Sequence, residues 1–332
     1  MTLSRTREHT EAEPTFFQYT LGLMTVFCLM LLLRNSEIAI KSVGEGLLLC
    51  AKTVIPSLFP FMVLSEVLVL GGFGETLLGR LTKPLQRLLR LPSAGGCAIL
   101  MGMLCGFPTG AKYAVSALAR GELTKTECER VLGCCNLPST AFLINAVGVS
   151  LCKNRGFGTM LYFVAALSAL ICGLLLRPRR GTKQNLAQVA ISSPVPAVKG
   201  AKLLTASIRS ATAATLTICA YVVFFSAITG TVGQMLVRLS LPELWQVLLT
   251  GALELSGGVS AAAAISSPFL KPLLIATTVG WSGLSVHCQL IALCEGHGLS
   301  FRTYFFSKLL QSLLCTLLCA VALFLFPSLW IG

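Results

Sequence analysis

The stretch GMLCGFPTGAKYAVSAL, residues 102–118, interrupts a region of the chain that is otherwise apolar enough to cross a membrane. It contains three glycines four residues apart, one proline and one lysine, namely Gly102, Gly106, Gly110, Pro108 and Lys112. Proline cannot continue an α-helix, because it lacks the N–H group and its ring clashes with the preceding turn. Glycines let two membrane helices approach closely. The pattern therefore predicts two half-helices that fold back on each other as a re-entrant hairpin over residues 95–118.

The composition indicates a protein that lies mostly within a lipid bilayer. Of the 332 residues, 55% are hydrophobic and only 12% are charged, and the mean hydropathy is +0.80. Soluble domains carry about 25% charged residues, and a spanning helix needs about 20 mostly apolar ones. The succession of apolar stretches predicts an all-α polytopic membrane protein. Residues 1–43 carry Arg5 and Arg7 and no cleavage motif, so we predict a cytoplasmic segment followed by an extra N-terminal anchor helix.

The basic residues favour the hairpin over a complete crossing. The net charge is +13, and no interleaving of aromatic and basic residues indicates nucleic-acid binding. Cytoplasmic loops of membrane proteins collect Lys and Arg. If residues 95–118 crossed the membrane, the basic residues 120–130 and the basic linker 177–202 would lie outside. A hairpin returns both to the cytoplasm, together with the N-terminus.

The second half of the chain repeats this plan. The segment LTGALELSGGVSAAAAISSP, residues 249–268, has a Gly-Gly pair at its centre and a proline at its end, so a second hairpin is predicted over 244–267. Repeat 1 then occupies 44–176 and repeat 2 occupies 203–332, and each consists of a helix, a re-entrant hairpin and two helices. The two repeats are inverted, which is typical of secondary transporters that bind substrate near the midplane. The alternative is a series of ordinary kinked spans.

Polar residues and glycines at the predicted helix breaks are the candidates for substrate binding. They are Thr109, Gly110, Asn136, Ser139, Thr140, Ser256, Gly257, Gly258, Ser282, Ser285, His287 and Gln289. Hydroxyl and amide groups beside a broken helix can bind a ligand together with the freed backbone groups. The alternative role for each polar side chain is a hydrogen bond between helices, which contributes about 0.6 kcal/mol. For His287, hydrogen-bonded packing is the stronger alternative.

Two charged residues of the predicted hairpins, Lys112 and Glu254, each have specific alternative roles. An ammonium at membrane depth is costly unless it faces a cavity or a partner, so Lys112 is a candidate counter-charge for an anionic substrate. Alternatively, its side chain extends to the cytoplasmic headgroups. Glu254 lies where the repeat symmetry places the counterpart of Lys112. It can pair with Lys112, take part in coupling by carrying a proton, or form an ordinary salt bridge.

Patterns expected of a soluble-type enzyme or a metal protein do not occur in the sequence. The 14 cysteines have no C-x-x-C spacing, the three histidines are scattered, and the chain has no aspartate. Catalytic residues, a metal site and a cofactor are therefore not predicted, and the free cysteines are expected to act as small apolar side chains. An intramembrane enzyme is the weaker alternative.

Four segments resemble those of a known family. They are IPSLFPFMVLSEVL (55–68), GMLCGFPTGAK (102–112), GELTKTECERVLGCCNLPSTAF (121–142) and GLSVHCQ (283–289). In these segments the chain resembles the YlbJ-type sporulation integral membrane proteins. That family is grouped with the nucleoside-recognition gate domain proteins and is distantly similar to concentrative nucleoside transporters.

The resemblance implies two inverted repeats and the passage of dipicolinate during endospore formation, across the outer forespore membrane derived from the mother cell. It maps the site onto Thr109–Lys112, Asn136–Thr140, Ser256–Gly258 and Ser282–Gln289. Where nucleoside carriers have a Gln-Thr-Glu type cluster, this chain reads Phe-Pro-Thr-Gly-Ala-Lys. That change favours a small organic anion over a neutral nucleoside. The alternatives are a nucleoside or other organic-anion carrier and a non-transporting scaffold for spore envelope assembly. The sequence does not distinguish a monomer from a homo-oligomer.

Overall fold

A computed structural model describes residues 16–73, 77–178 and 200–327. Every regular element within those ranges is helical, which confirms the predicted all-helical class. Arg5, Arg7 and residues 179–199 of the predicted linker lie outside the described residues.

The first half of the chain contains a continuous helical run, a helical hairpin, an interrupted helix and a long helix. Its elements are α1 (Phe16–Arg34), α2 (Ser36–Leu49), the π-helical turn π1 (Cys50–Val54), α3 (Ile55–Leu70), α4 (Lys83–Leu89), α5 (Ser93–Cys105), α6 (Thr109–Ala119), α7 (Lys125–Cys135), the π-helical segment π2 (Phe142–Leu151) and α8 (Arg155–Leu175). The run α2–π1–α3 begins at Ser36, before residue 44, where repeat 1 is predicted to begin.

The second half has the same order of elements. It contains α9 (Ala201–Arg238), α10 (Glu243–Leu253), α11 (Leu255–Ala264), α12 (Leu270–Trp281), α13 (Gly283–Leu293) and α14 (Arg302–Leu325). A long helix is again followed by a hairpin (α10–α11), an interrupted helix (α12–α13) and a long helix.

Four helices within the described ranges are long and apolar enough to cross a membrane: α8, α9, α12 with α13, and α14. The number rises to six if two sharply bent pairs, residues 22–54 and 83–105, each count as one span. The other apolar stretches are divided between short helices, because hairpins and interruptions break them. These long apolar helices identify the chain as an integral membrane protein.

The first predicted hairpin consists of two helices that pack on each other at glycines. Its arms α5 and α6 are separated at Gly106, whose φ of +78° suits glycine. A Cβ atom on Gly110 would lie 2.7 Å from the Cα of Gly102. A Cβ atom on Gly102 would overlap the carbonyl oxygen of Cys135 at the end of α7. The two glycines therefore allow three helices to meet with their backbones in contact.

The second hairpin turns at a different residue from the one predicted. Its arms α10 and α11 separate at Glu254, which has extended backbone angles (φ −146°, ψ 133°), and not at the Gly257–Gly258 pair. The pair lies inside α11. Gly258 serves close packing instead, since a Cβ atom there would overlap the Cα of Gly251. The turn lies at Glu254 because its carboxylate caps the start of α11.

Both interrupted helices break beside the polar residues that were selected as candidates for substrate binding. Helix α7 ends at Cys135, and helical structure resumes only beyond Pro138. Helix α12 ends before Ser282 and Gly283, which both have positive φ angles of 76° and 82°. Gly280, shortly before this break, packs against the backbone of α14.

Arginine side chains tie several helix ends together at one end of the molecule. The guanidinium of Arg130 donates to the carbonyl oxygens of Leu89 and Leu176, at 2.6 and 3.0 Å. Arg90 donates to the carbonyl oxygen of Pro178 at 2.6 Å. The beginning of the first hairpin, the start of α7 and the end of α8 therefore lie at this end.

The loop after α13 joins the same end, because the Ser300 N–H donates to the Glu129 carboxylate at 2.7 Å. The second hairpin belongs to the opposite end. It follows the C-terminus of α9, where Arg238 donates to Asn35 at 3.3 Å, and it precedes the start of α12. The helix α12–α13 runs between these two ends.

The apolar side chains form two separate clusters. One joins the run α2–π1–α3 to α9, through Cys50, Met62, Ala211, Ile218 and Val222; we call these helices the paired-span unit. The other contains the buried residues of α4–α8 and α10–α14; we call these helices the hairpin unit. Each unit therefore has its own hydrophobic core.

Candidate functional site

Both hairpin tips and both helix interruptions converge on a cavity of about 90 Å³ between the two units. The hairpin unit lines it with Phe107, Asn136–Ser139, Phe142, Glu254–Ser256, Ser282, Ser285, Val286 and Gln289. The paired-span unit supplies Thr53, Val54, Leu58, Ile218 and Val222. Each half of the chain thus contributes a long helix, a hairpin tip and a helix interruption to one cavity.

Each hairpin tip packs directly on the helix interruption of its own half. The Phe107 N–H donates to the carbonyl oxygen of Leu137 at 2.6 Å. In the second half, a Cβ atom on Gly283 would lie 2.8 Å from the backbone nitrogen of Leu255. Irregular backbone at membrane depth is tolerated where protein surrounds it or where it lines a wet cavity. These contacts provide that environment.

Several predicted residues come together in the cavity wall: Asn136, Ser139, Ser256, Ser282, Ser285, Gln289 and Glu254. Gln289 donates through Nε2 to the Ser285 hydroxyl at 3.3 Å. The Oδ1 atom of Asn136 and the Oε1 atom of Gln289 are buried and accept no hydrogen bond from any described residue. Buried polar atoms without a partner are rare in folded proteins. These two amide oxygens can therefore accept a hydrogen bond from a ligand or from water.

The remaining predicted residues lie outside the cavity wall: Thr109, Gly110, Lys112, Thr140, Gly257, Gly258 and His287. The Thr140 hydroxyl donates to the Leu104 carbonyl oxygen at 3.0 Å and so caps the end of α5. Gly110 and Gly258 serve helix packing. The hydroxyl of Thr109 is buried and has no partner among the described residues.

His287 supports the cavity wall from behind. It is fully buried, and its Nδ1 atom lies 2.7 Å from the Tyr304 hydroxyl. The same hydroxyl accepts a hydrogen bond from Nδ2 of Asn136 at 2.9 Å. The Nε2 atom of His287 has no partner among the described residues, and the contact with Tyr304 holds the ring in either tautomer. His287 thus holds Asn136 through Tyr304.

Glu254 caps the N-terminus of α11. Its carboxylate accepts the Gly257 N–H at 2.5 Å, and the residue is only 5% exposed. The positive end of the α11 dipole favours a carboxylate at this position. Glu254 forms no ion pair with Lys112, which has another partner.

Lys112 joins the two units. Its ammonium forms an ion pair with Glu66 of α3 and donates to the Ser210 hydroxyl of α9 at 2.8 Å. The Lys112 and Glu66 side chains are only 21% and 7% exposed. Lys112 belongs to α6, whereas both partners belong to the paired-span unit. In this structure the Lys112 ammonium therefore pairs with a carboxylate of the paired-span unit, and the side chain does not line the cavity.

Sequence patterns do not identify Lys308 of α14 as part of the site. It is fully buried, and its ammonium donates to the Asn136 carbonyl oxygen, the Ser282 hydroxyl and Oε1 of Gln311, at 2.6, 3.1 and 3.2 Å. The two contacts to Asn136 and Ser282 connect the two helix interruptions. The signal in the sequence is a single lysine within the last apolar stretch.

A second, open cleft of about 480 Å³ adjoins the cavity and shares Thr53, Phe142 and Ser256 with it. Its wall extends along π2 to Leu151 and includes the exposed Lys52. Residue 151 precedes α8 at the end of the molecule opposite Arg130. The cleft therefore connects the cavity to that end.

The described residues contain no group of three or more His, Cys or Glu side chains arranged to hold a metal ion. The cysteines in these ranges are free thiols, most of them buried or partly buried among apolar side chains.

The chain is similar to the sporulation integral membrane protein YlbJ of Bacillus subtilis (strain 168). The two are 25% identical over 324 residues, which cover 86% of this chain and 78% of the relative. The resemblance predicted from the four sequence segments is thereby confirmed. No family model matches the chain. No solved structure matches it either.

Proposed function

We propose that this protein is a secondary transporter or facilitator of a small organic anion, with dipicolinate during endospore formation as its first substrate. The observation that carries the proposal is the single cavity on which both hairpin tips and both helix interruptions converge. Cavities built from discontinuous helices of two repeats are the usual substrate sites of secondary transporters. The substrate leaves chemically unchanged.

In this proposal the two halves are inverted repeats and the two hairpins are re-entrant from opposite faces. The contacts at the helix ends support it. The first hairpin begins beside Arg90 and Pro178, whereas the second begins beyond the α9 terminus that contacts Asn35. The end that carries Arg90 and Arg130 faces the cytoplasm, as the basic loops favour. The N-terminus is cytoplasmic as well, and the membrane is the outer forespore membrane.

Transport requires the cavity to open toward each face in turn. The open cleft along π2 supports access from the non-cytoplasmic end. Because each unit has its own hydrophobic core, the hairpin unit can move against the paired-span unit without unfolding either one. This movement exposes the cavity between them first to one face of the membrane and then to the other.

The choice of an anion has two supports. Lys308 lies behind the wall, and Lys52 lies in the adjoining cleft. The similarity to the Bacillus subtilis sporulation protein supports a role in sporulation, for which dipicolinate is the substrate implied by the family resemblance.

The direct test is dipicolinate flux into liposomes that contain the purified protein. We expect labelled dipicolinate to accumulate faster than in protein-free liposomes and to be recovered unaltered. Gln289→Met removes an amide from the cavity wall whose Nε2 atom donates one hydrogen to Ser285 and has a second hydrogen for a carboxylate oxygen of the ligand. This variant should lower the rate at least tenfold, since one lost hydrogen bond to a charged ligand contributes about 1.5–3 kcal/mol.

The matched control is Gln246→Met, because the Gln246 amide donates only to the Leu241 carbonyl oxygen near the start of α10. This variant should transport like the wild type. Liposomes with wild-type protein that take up dipicolinate no faster than empty ones would refute the proposed substrate. Equal rates for Gln289→Met and wild type would remove Gln289 from the site.

A further inference from the structure

We infer that Lys308 determines the charge selectivity of the cavity: its ammonium, held against both helix interruptions, makes the site prefer anionic over neutral ligands. This inference rests on the proposed function and deepens it. Lys308 is a positioning residue, since Asn136 and Ser282 lie between it and the ligand space.

The first argument is the placement of the ammonium. Lys308 has no exposed surface, so the charge lies wholly within the protein. Its donors reach the backbone carbonyl freed where α7 ends and the hydroxyl of Ser282 where α12 ends. Both residues line the cavity. One layer of residues therefore separates the ammonium from the ligand space, and the ammonium bridges the two interrupted helices.

The second argument is that the described residues contain no carboxylate paired with this ammonium. Its acceptors are a carbonyl, a hydroxyl and an amide, which are dipoles without net charge. Glu66 is paired with Lys112 instead. Burying an ion is costly unless charge of opposite sign is available. An anion in the cavity supplies that charge.

Glu254 also lines the cavity, and its carboxylate opposes this effect in part. The Gly257 N–H and the positive end of the α11 dipole stabilise that carboxylate but do not remove its charge. The exposed Lys52 in the adjoining cleft adds a second positive charge on the access path. The two ammonium groups near the ligand space therefore outnumber the one carboxylate among the described residues that line the cavity and the cleft.

The expected size follows from Coulomb's law. At a separation of about 6 Å and an effective dielectric constant near 20, the attraction between two unit charges corresponds to about a hundredfold in affinity. Screening by water in the cavity reduces this, so we expect at least a tenfold effect.

The experiment compares two ligands of the same shape on the purified full-length protein in detergent. Dipicolinate is a dianion at neutral pH, and pyridine-2,6-dicarboxamide is its neutral counterpart. We expect wild-type protein to bind the dianion more tightly. Lys308→Met should lower the ratio of the two affinities at least tenfold. Lys41→Met, at an exposed lysine of α2, should leave the ratio unchanged.

The ratio of affinities is measured on the folded fraction alone, so a loss of stability does not mimic the result. If Lys308→Met does not fold, Lys308→Gln keeps a donor for the Asn136 carbonyl oxygen and removes only the charge. An unchanged ratio in the folded variant overturns the role of Lys308 while the proposed function stands. Wild-type protein that binds both ligands equally also overturns the inference, since the site then has no charge preference. Wild-type protein that binds neither ligand refutes the proposed function itself.

Discussion

Replacing Gly102 by alanine is expected to destabilise the protein by more than about 3 kcal/mol. The added Cβ atom would overlap the carbonyl oxygen of Cys135, which is backbone and cannot move without shifting α7. Overpacking a well-packed interior costs about 1–3 kcal/mol when flexible side chains can adjust. Here the end of α7 leads into the helix interruption at the cavity, so the strain also reaches Asn136.

The matched control is Gly44→Ala, because a Cβ atom on Gly44 in α2 meets no atom within 4 Å. Alanine favours helix over glycine by about 1 kcal/mol, so this variant should be as stable as the wild type or slightly more stable. The measurement is the apparent melting temperature in detergent, followed as the fraction that stays monodisperse. Equal melting temperatures for Gly102→Ala and Gly44→Ala would contradict the close packing of the first hairpin.

Replacing Lys112 by methionine is expected to destabilise the protein by about 3 kcal/mol. The variant leaves the Glu66 carboxylate buried without its cation, and the removal of one partner from a buried pair costs about 3–5 kcal/mol. The partial exposure of Lys112 places the effect at the lower end of this range. The melting temperature in detergent should fall accordingly.

The double variant Lys112→Met/Glu66→Met should recover most of this loss, because two apolar side chains of similar volume replace the pair. The matched control is Lys41→Met, at an exposed lysine 4.0 Å from Glu45. Exposed pairs contribute at most about 1 kcal/mol. If the single and double variants melt at the same temperature, Lys112 and Glu66 do not stabilise each other, and the contact between the units is not an ion pair.

The sequence predicts the first hairpin well because local chemistry decides it. Pro108 and the glycines at 102, 106 and 110 act within a few residues of the turn, and their effects on helices are independent of distant contacts. The second hairpin is harder to place. Glu254 turns the chain by capping α11, whereas the conspicuous Gly257–Gly258 pair serves packing.

The site is predicted only in part because its members are far apart in the sequence. Asn136 and Ser282 could be selected from polar residues at helix breaks. Lys308 contacts the carbonyl oxygen of Asn136 across 172 positions, and a lone lysine in an apolar stretch is otherwise like any lysine near a helix end. For Lys112 the sequence leaves several roles open, because Glu66, its partner on α3, is not identified by spacing or symmetry.

The central claim is that the chain enters the bilayer and returns twice, once from each face. The most direct measurement is the reaction of single cysteines with a membrane-impermeant maleimide from either side, in a background without the partly exposed native cysteines. Four exposed positions flank the two hairpins: Arg87 and Lys125, and Arg238 and Ser266. The first pair should react only from the cytoplasmic face, and the second pair only from the opposite face. Reaction of Arg87→Cys and Lys125→Cys from different faces would show that residues 93–119 cross the membrane, which contradicts the account.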